Sequence, residues 1–192
     1  MKKPLTVFLL LFSLIAIPSL AMAKEPTENV ILFLNRQVSI AVPSGFAFTS
    51  GRDDHGTIVA QITDAKEKNR LQVQFQPDPA GRLGTEQQQM GFLAEICRQY
   101  AEGSVEHSYD FKALTPRAGT GTYCTFTDAS LVGQTPPKGE YQNVTTGVKA
   151  RPGWVIVFTL LSNDTAAKDY HTLLGLLKDS FEEKASPEPA KS

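Results

Sequence analysis

The chain has 192 residues, 41% of them hydrophobic, and a net charge of −1. That length suits one domain able to bury roughly 70% of the surface its unfolded chain exposes. So balanced a charge excludes any general attraction to nucleic acid or to anionic lipid.

The chain opens on Met1-Lys2-Lys3, followed by an apolar run over residues 5–20 interrupted only by Thr6, Ser13, Pro18 and Ser19. Ala21-Met22-Ala23 then presents the small-x-small pattern that signal peptidase accepts. This order of charge, apolar run and small residues predicts a removable secretory signal over residues 1–23, not a membrane anchor. Cleavage after Ala23 removes Lys2 and Lys3 and no acid, taking the charge from −1 to −3. The next apolar run, residues 154–161, falls far short of the ~18 residues that span a bilayer. Lys24 at the new N-terminus closes the lipid-anchoring route that needs a cysteine there. The expected location is periplasmic or secreted, with no membrane insertion after cleavage.

Residues 30–34 and 38–42 are β-rich runs separated by Asn35-Arg36-Gln37, a hairpin pattern that Pro43-Ser44-Gly45 ends. A strand over residues 57–63 follows, then one over 70–76 in which Leu71, Val73 and Phe75 alternate with glutamines. Thr85 opens a helix with Gln88 three residues on, a capping-box spacing, and Gly103 stops it. Phe92, Leu93, Ile96, Cys97 and Tyr100 form its expected apolar stripe. Extended segments are predicted at residues 108–113, 121–127 and 140–149. Residues 154–161 are apolar on both sides, the pattern of a strand covered on both faces. Asp164 is then expected to cap a second helix, whose stripe is Tyr170, Leu173, Leu174, Leu177 and Phe181. The predicted organisation is one globular domain over residues 24–182 and a disordered tail over 183–192, too polar and proline-rich to offset its ordering entropy.

Hairpin strands with one helix in the middle and one at the end indicate an α+β class. An antiparallel sheet flanked by helices on both faces fits best. The layout resembles the Mog/PsbP-like family over about residues 30–181. The resemblance rests on the opening hairpin ending in Val-Ser-Ile-Ala-Val-Pro-Ser-Gly-Phe, the central helix, and the closing 153–161 strand with its amphipathic helix. It implies a three-layer α/β/α sandwich used chiefly for binding. Members of that family include a small-GTPase partner, photosystem accessory proteins and bacterial envelope proteins. Nuclear and thylakoid roles do not agree with a bacterial export signal, so the resemblance implies the fold and action without catalysis.

Cys97 and Cys124 are the two cysteines, and in an exported protein two cysteines usually pair. Their spacing of twenty-seven is not the C-x-x-C of thiol redox catalysts. A structural disulfide is therefore expected, with a reactive thiol as the alternative. Asp53, Asp54 and His55, in a loop between Gly51 and Gly56, are the candidate metal ligands. Zinc needs three or four converging ligands, and calcium loops need alternating acids. A solvated acidic turn is the simpler account of these three residues.

No G-x-S-x-G or S-x-x-K pattern marks a nucleophilic serine. Arg117-Ala-Gly-Thr-Gly-Thr leads into a strand rather than a helix, so it reads as a β-turn and not a phosphate loop. The 140–149 segment carries Gln142, Asn143, Thr145 and Thr146, a polar stretch that would face solvent or take a partner by strand addition. The proline-stiffened loop over residues 131–138 precedes it. Taken together, the sequence predicts a non-catalytic, protein-binding or accessory module of the cell envelope, with no cofactor and an unidentified protein partner. The alternatives are a small-molecule or metal-binding module and, third, a hydrolytic enzyme whose site the sequence does not display.

Overall fold

The computed structural model describes residues 25–184, so the predicted signal and nearly all of the predicted tail lie outside the described residues. β1 (Thr27–Phe33) and β2 (Arg36–Val42) form the opening hairpin. Its two-residue turn places Leu34 and Asn35 at φ 49° and 60°, the left-handed geometry that matches strand twist. Asparagine tolerates that conformation well; leucine holds it only because the strands on either side fix it.

β3 (Phe46–Arg52), β4 (Ile58–Asp64) and β5 (Asn69–Asp78) follow as a meander. After α1 (Glu86–Glu102) come the two-residue β6 (Lys112–Ala113), β7 (Thr120–Thr127), β8 (Asn143–Arg151) and β9 (Gly153–Ser162). α2 (Lys168–Asp179) and β10 (Glu182–Lys184) close the described chain. The strands form an antiparallel seven-stranded sheet, ordered β3-β4-β5-β9-β8-β7-β6, and a three-stranded sheet ordered β1-β2-β10. The expected α+β class and antiparallel pairing are both present.

Four boundaries differ from the sequence reading. β3 was not predicted, because only Phe46 and Phe48 turn inward before the strand becomes Thr-Ser-Gly-Arg at an open sheet edge. The segment predicted at residues 108–113 shrinks to β6. The domain does not end at residue 182: Glu183 and Lys184 pair with Val38 and Gln37, and Glu183 meets Arg36 at 2.8 Å. Asp164 does not cap α2; its Oδ1 accepts from the Ala166 amide at 2.8 Å in the preceding turn, and the cap position is Ala167.

The core divides into two clusters, and β9 contributes to both. Trp154, Ile156, Phe158 and Leu160 join Tyr170, Leu173, Leu174 and Leu177 of α2 and the inner side chains of β2, β4 and β5. Phe33, Phe75 and Trp154 pack against one another in that cluster, with centroids 5.8–6.1 Å apart and Phe75 stacked on Trp154. Val155 instead lies with Leu93 and Cys97 of α1 and with Cys124 and Phe126 of β7.

Helix α1 begins with the predicted capping box. The Gln88 amide donates to Thr85 Oγ1 at 3.3 Å, and the Thr85 amide donates to Gln88 Oε1 at 3.0 Å. Its buried stripe is Gln89, Leu93, Cys97 and Ala101, leaving Phe92 and Tyr100 exposed where the sequence pattern buries them. Gln89 sets this rotation. Its Nε2 donates to Thr120 Oγ1 at 2.7 Å and to the Leu83 carbonyl at 2.9 Å, while Thr122 Oγ1 donates to its Oε1 at 2.9 Å. A buried amide satisfied on both ends holds its place against a leucine-like competitor.

Candidate functional site

Cys97 of α1 and Cys124 of β7 form a disulfide across the smaller cluster, with their Cα atoms 6.8 Å apart. Helical spacing puts Cys97 one turn beyond Leu93, and strand alternation puts Cys124 beside Phe126, so both sulfurs enter one packed layer.

Asp53, Asp54 and His55 form the tip of the β3–β4 hairpin. The Asp53 Oδ1 accepts from the backbone amides of His55 at 2.9 Å and Thr57 at 2.8 Å. Its carboxylate thus closes the turn. The other histidines, His107 and His171, lie after α1 and within α2, and among the described residues no three His, Cys, Asp or Glu side chains converge as a metal would require.

The segment expected to offer a free polar strand does not do so. β8 pairs with β7 on one side and with β9 on the other, so it has no open edge. Asn143, Thr145 and Thr146 are buried. Thr145 Oγ1 shares a 2.9 Å hydrogen bond with the Tyr170 hydroxyl, Thr146 Oγ1 donates to the Phe158 carbonyl at 3.3 Å, and Asn143 Nδ2 donates to the Ser162 carbonyl at 3.3 Å. Gln142, just before the strand, donates its amide to Asn163 Oδ1 at 3.2 Å. These residues fasten the sheet from within. Sequence could not separate a polar exposed strand from a polar buried one, because the distinction rests on neighbours far away in the chain.

Asn143 belongs to a polar chain that crosses the ends of five strands. Asp64 Oδ2 accepts from Asn69 Nδ2 at 2.6 Å, and Asn69 Oδ1 accepts from Ser162 Oγ at 2.6 Å. On the far side, Thr127 Oγ1 donates to Glu106 Oε1 at 2.8 Å and its amide to Oε2 at 3.0 Å. Burial pushes the Glu106 carboxyl upward, but the hydrogen bonds from Thr127 outweigh it and hold the group below the ordinary glutamate value. Ser162 meets an amide, not a base, so this chain of contacts has no activated nucleophile.

Beside this polar end, the loop carrying Pro136 and Pro137 faces the β4–β5 turn across an open cleft of about 720 Å³. Lys138 bridges it to Glu67 at 3.7 Å, an exposed pair worth about 0–1 kcal/mol.

At the other end of the sheet, Lys149 of β8 is only 1% exposed. Its Nζ donates to the Ser180 carbonyl at 2.8 Å and lies 5.8 Å from the Phe181 ring centroid. Burial, assisted by nearby Arg151, pulls its pKa down to about 8. Arg151 donates to the Phe181 carbonyl at 3.1 Å. The two cations fix the segment that hands α2 on to β10.

The most exposed apolar feature is on β1. Val30 and Leu32 are 47% and 66% exposed, Leu34 in the turn beyond is 49% exposed, and among the described residues β1 is an edge of its sheet. The alternation that buries Ile31 and Phe33 turns Val30 and Leu32 outward, so the sequence pattern already contains the pair. What the pattern lacked was the knowledge that, among the described residues, no second layer covers that side.

The seven-stranded antiparallel sheet, the small accessory sheet and the two helices define a PsbP-like α+β domain. The solution structure of cyanobacterial PsbP (CyanoP) from Synechocystis sp. PCC 6803 matches it with a TM-score of 0.50 at 12% sequence identity, over 85% of this chain and 95% of that chain. The likeness is one of fold. No protein-family model and no curated protein sequence matches the chain.

Proposed function

We propose that this chain is a non-catalytic, extracytoplasmic module that binds a protein partner along the open edge of β1. The observation that carries this reading is the exposed pair Val30 and Leu32 on a seven-residue edge strand, with Leu34 exposed in the turn that follows. Natural sheets blunt such edges with proline, lysine or a bulge. From Asn29 to Phe33 β1 carries no charge and no proline, and its register with β2 runs unbroken from Thr27 to Phe33. An edge of this kind offers backbone donors and acceptors to an extended segment, and its outward side chains offer apolar contact.

The export signal read from the sequence and the disulfide support a location outside the cytoplasm. The chain of contacts from Asp64 to Glu106, in which Ser162 meets an amide and no base, supports a role without catalysis, as does the resemblance in layout. We also read the domain as a three-layer sandwich, with α1 and α2 on opposite faces of the larger sheet. The alternation of Val155 and Ile156 between the two clusters supports that arrangement.

The test compares proteins retained from envelope extract by the wild-type chain, by Leu32→Lys and by Phe92→Lys. Leu32 is exposed, so the charge should not disturb folding. A partner lost with Leu32→Lys and kept with Phe92→Lys is the expected result. Identical retention by all three would remove β1 as the binding surface.

A further inference from the structure

A second cleft, of about 370 Å³, opens between the β1–β2 turn and the tip of the β3–β4 hairpin. Leu34 and Pro77 supply its exposed apolar lining, and Phe33, Ile58 and Phe75 lie nearly buried behind them. Phe33 and Phe75 lie 5.8 Å apart and both pack against Trp154, at 6.1 and 5.9 Å, so the apolar side of the cleft is continuous with the core. The register pairs Arg52 with Ile58 and Ile58 with Phe75, which sets a cation on the same face one strand from the apolar side.

The charged chemistry of the lining is one-sided. Arg52 and His55 are its ionisable side chains, and no carboxylate lines it. Asp53, next in sequence to Arg52, spends its Oδ1 on the His55 and Thr57 amides. Asp54 is exposed at the hairpin tip and is not part of the lining. Arg52 Nη1 donates to the Gly56 carbonyl at 2.7 Å, which holds the guanidinium at the mouth. The turn itself is fixed by the Asp53 amide on the Thr57 carbonyl at 3.0 Å and the Gly56 amide on the Asp53 carbonyl at 2.9 Å, with Gly56 at φ 76°.

We infer that this cleft binds a small carboxylate with an apolar, preferably aromatic, body: the body against Leu34, Pro77 and what Phe33 and Ile58 leave exposed, the carboxylate on Arg52 and His55. A cleft of this size lies in the range that holds small ligands, which combine mostly apolar contact with a few fixed polar groups. A guanidinium presents a planar fork of donors that suits a carboxylate, and a cation at the mouth of an acid-free cleft selects an anion. The hairpin tip thus serves an anion where its two aspartates suggested a cation. This inference does not depend on the β1 edge binding a protein.

The test uses the disulfide-bonded chain and two probes of nearly equal shape, hydrocinnamate and its neutral amide, hydrocinnamide, titrated by two-dimensional amide NMR. The expected shifts are confined to residues 33–34, 52–58 and 75–77. Hydrocinnamate should bind about tenfold or more tightly than hydrocinnamide, the contribution of a charge-assisted hydrogen bond. Arg52→Gln should remove most of that preference, weakening hydrocinnamate far more than hydrocinnamide. Arg52→Lys should give an intermediate preference, which keeps the inference exposed should the glutamine variant disturb the hairpin. His55→Gln should reduce the preference by less. Equal binding of the two probes, shifts centred elsewhere, or no shift up to the probes' solubility would overturn it.

Discussion

The two hydrophobic clusters are secured by different means. The one containing α2 gathers twenty-two buried residues among those described, three of them the mutually packed rings of Phe33, Phe75 and Trp154. The one containing α1 gathers eight, two of which are the bonded cysteines, and gives one position of its helix stripe to Gln89. Burial suffices for the first cluster. The second substitutes a covalent cross-link and a satisfied amide for apolar area.

Perturbations aimed at each cluster can break that contrast. Trp154→Ala should cost about 3–5 kcal/mol in denaturant unfolding, the range for deleting a large buried ring. A loss under 1 kcal/mol would mean that the aromatic stack is not the anchor. Replacing Cys97 and Cys124 together by alanine should cost about 3–4 kcal/mol, as expected for closing a loop of this length. Amide exchange should then accelerate in α1 and β7 before α2, and uniform acceleration would erase the distinction between the clusters.

Lys149 sharpens the comparison from the α2 side. Its folded-state pKa of about 8 lies below the 10.5 of the free side chain, so the unfolded chain holds the extra proton between those values. Stability should therefore rise with pH from about 8 to about 10.5, and Lys149 should add nothing to the slope below that window. The gain is on the order of 3 kcal/mol at most. It is read as the difference between wild type and Lys149→Met across the window, because Tyr123 and Tyr141, raised by burial, titrate at its upper end with the opposite sign. Parallel curves for the two proteins would show that the amine is not desolvated. The smallest effect belongs to Thr85→Ala, which should cost about 1 kcal/mol through the lost helix cap. Urea unfolding measures it, and no change would place the start of α1 outside the cooperative unit.

Where a local pattern decides the structure, the sequence was legible. Leu71, Val73 and Phe75 alternate and form β5; Thr85 and Gln88 have capping spacing and make the box; Cys97 and Cys124 are the available pair and bond. Where distant neighbours decide, it was not. Gln89 is polar by every pattern and is buried because Thr120 and Thr122 stand opposite. Asn143, Thr145 and Thr146 read as a surface strand and prove internal because β7 and β9 flank them. β3 and β10 are edge strands with little apolar signal, so only their partners reveal them. The apolar cleft near Arg52 joins residues from β1, β3, β4 and β5, a juxtaposition that no single stretch of chain contains.

The three-stranded sheet has a topological consequence. The described chain enters through β1 and leaves through β10, and these two strands flank β2 about 10 Å apart. β1 starts opposite Val42 and β10 stops opposite Gln37, so these two ends lie about 20 Å apart along one face of the small sheet, and a flexible linker of roughly a dozen residues joins them without crossing the core. New ends opened in the exposed loop at residues 134–138 would leave every strand pairing intact, so a circular permutant cut there is expected to keep the disulfide and melt near the parent chain.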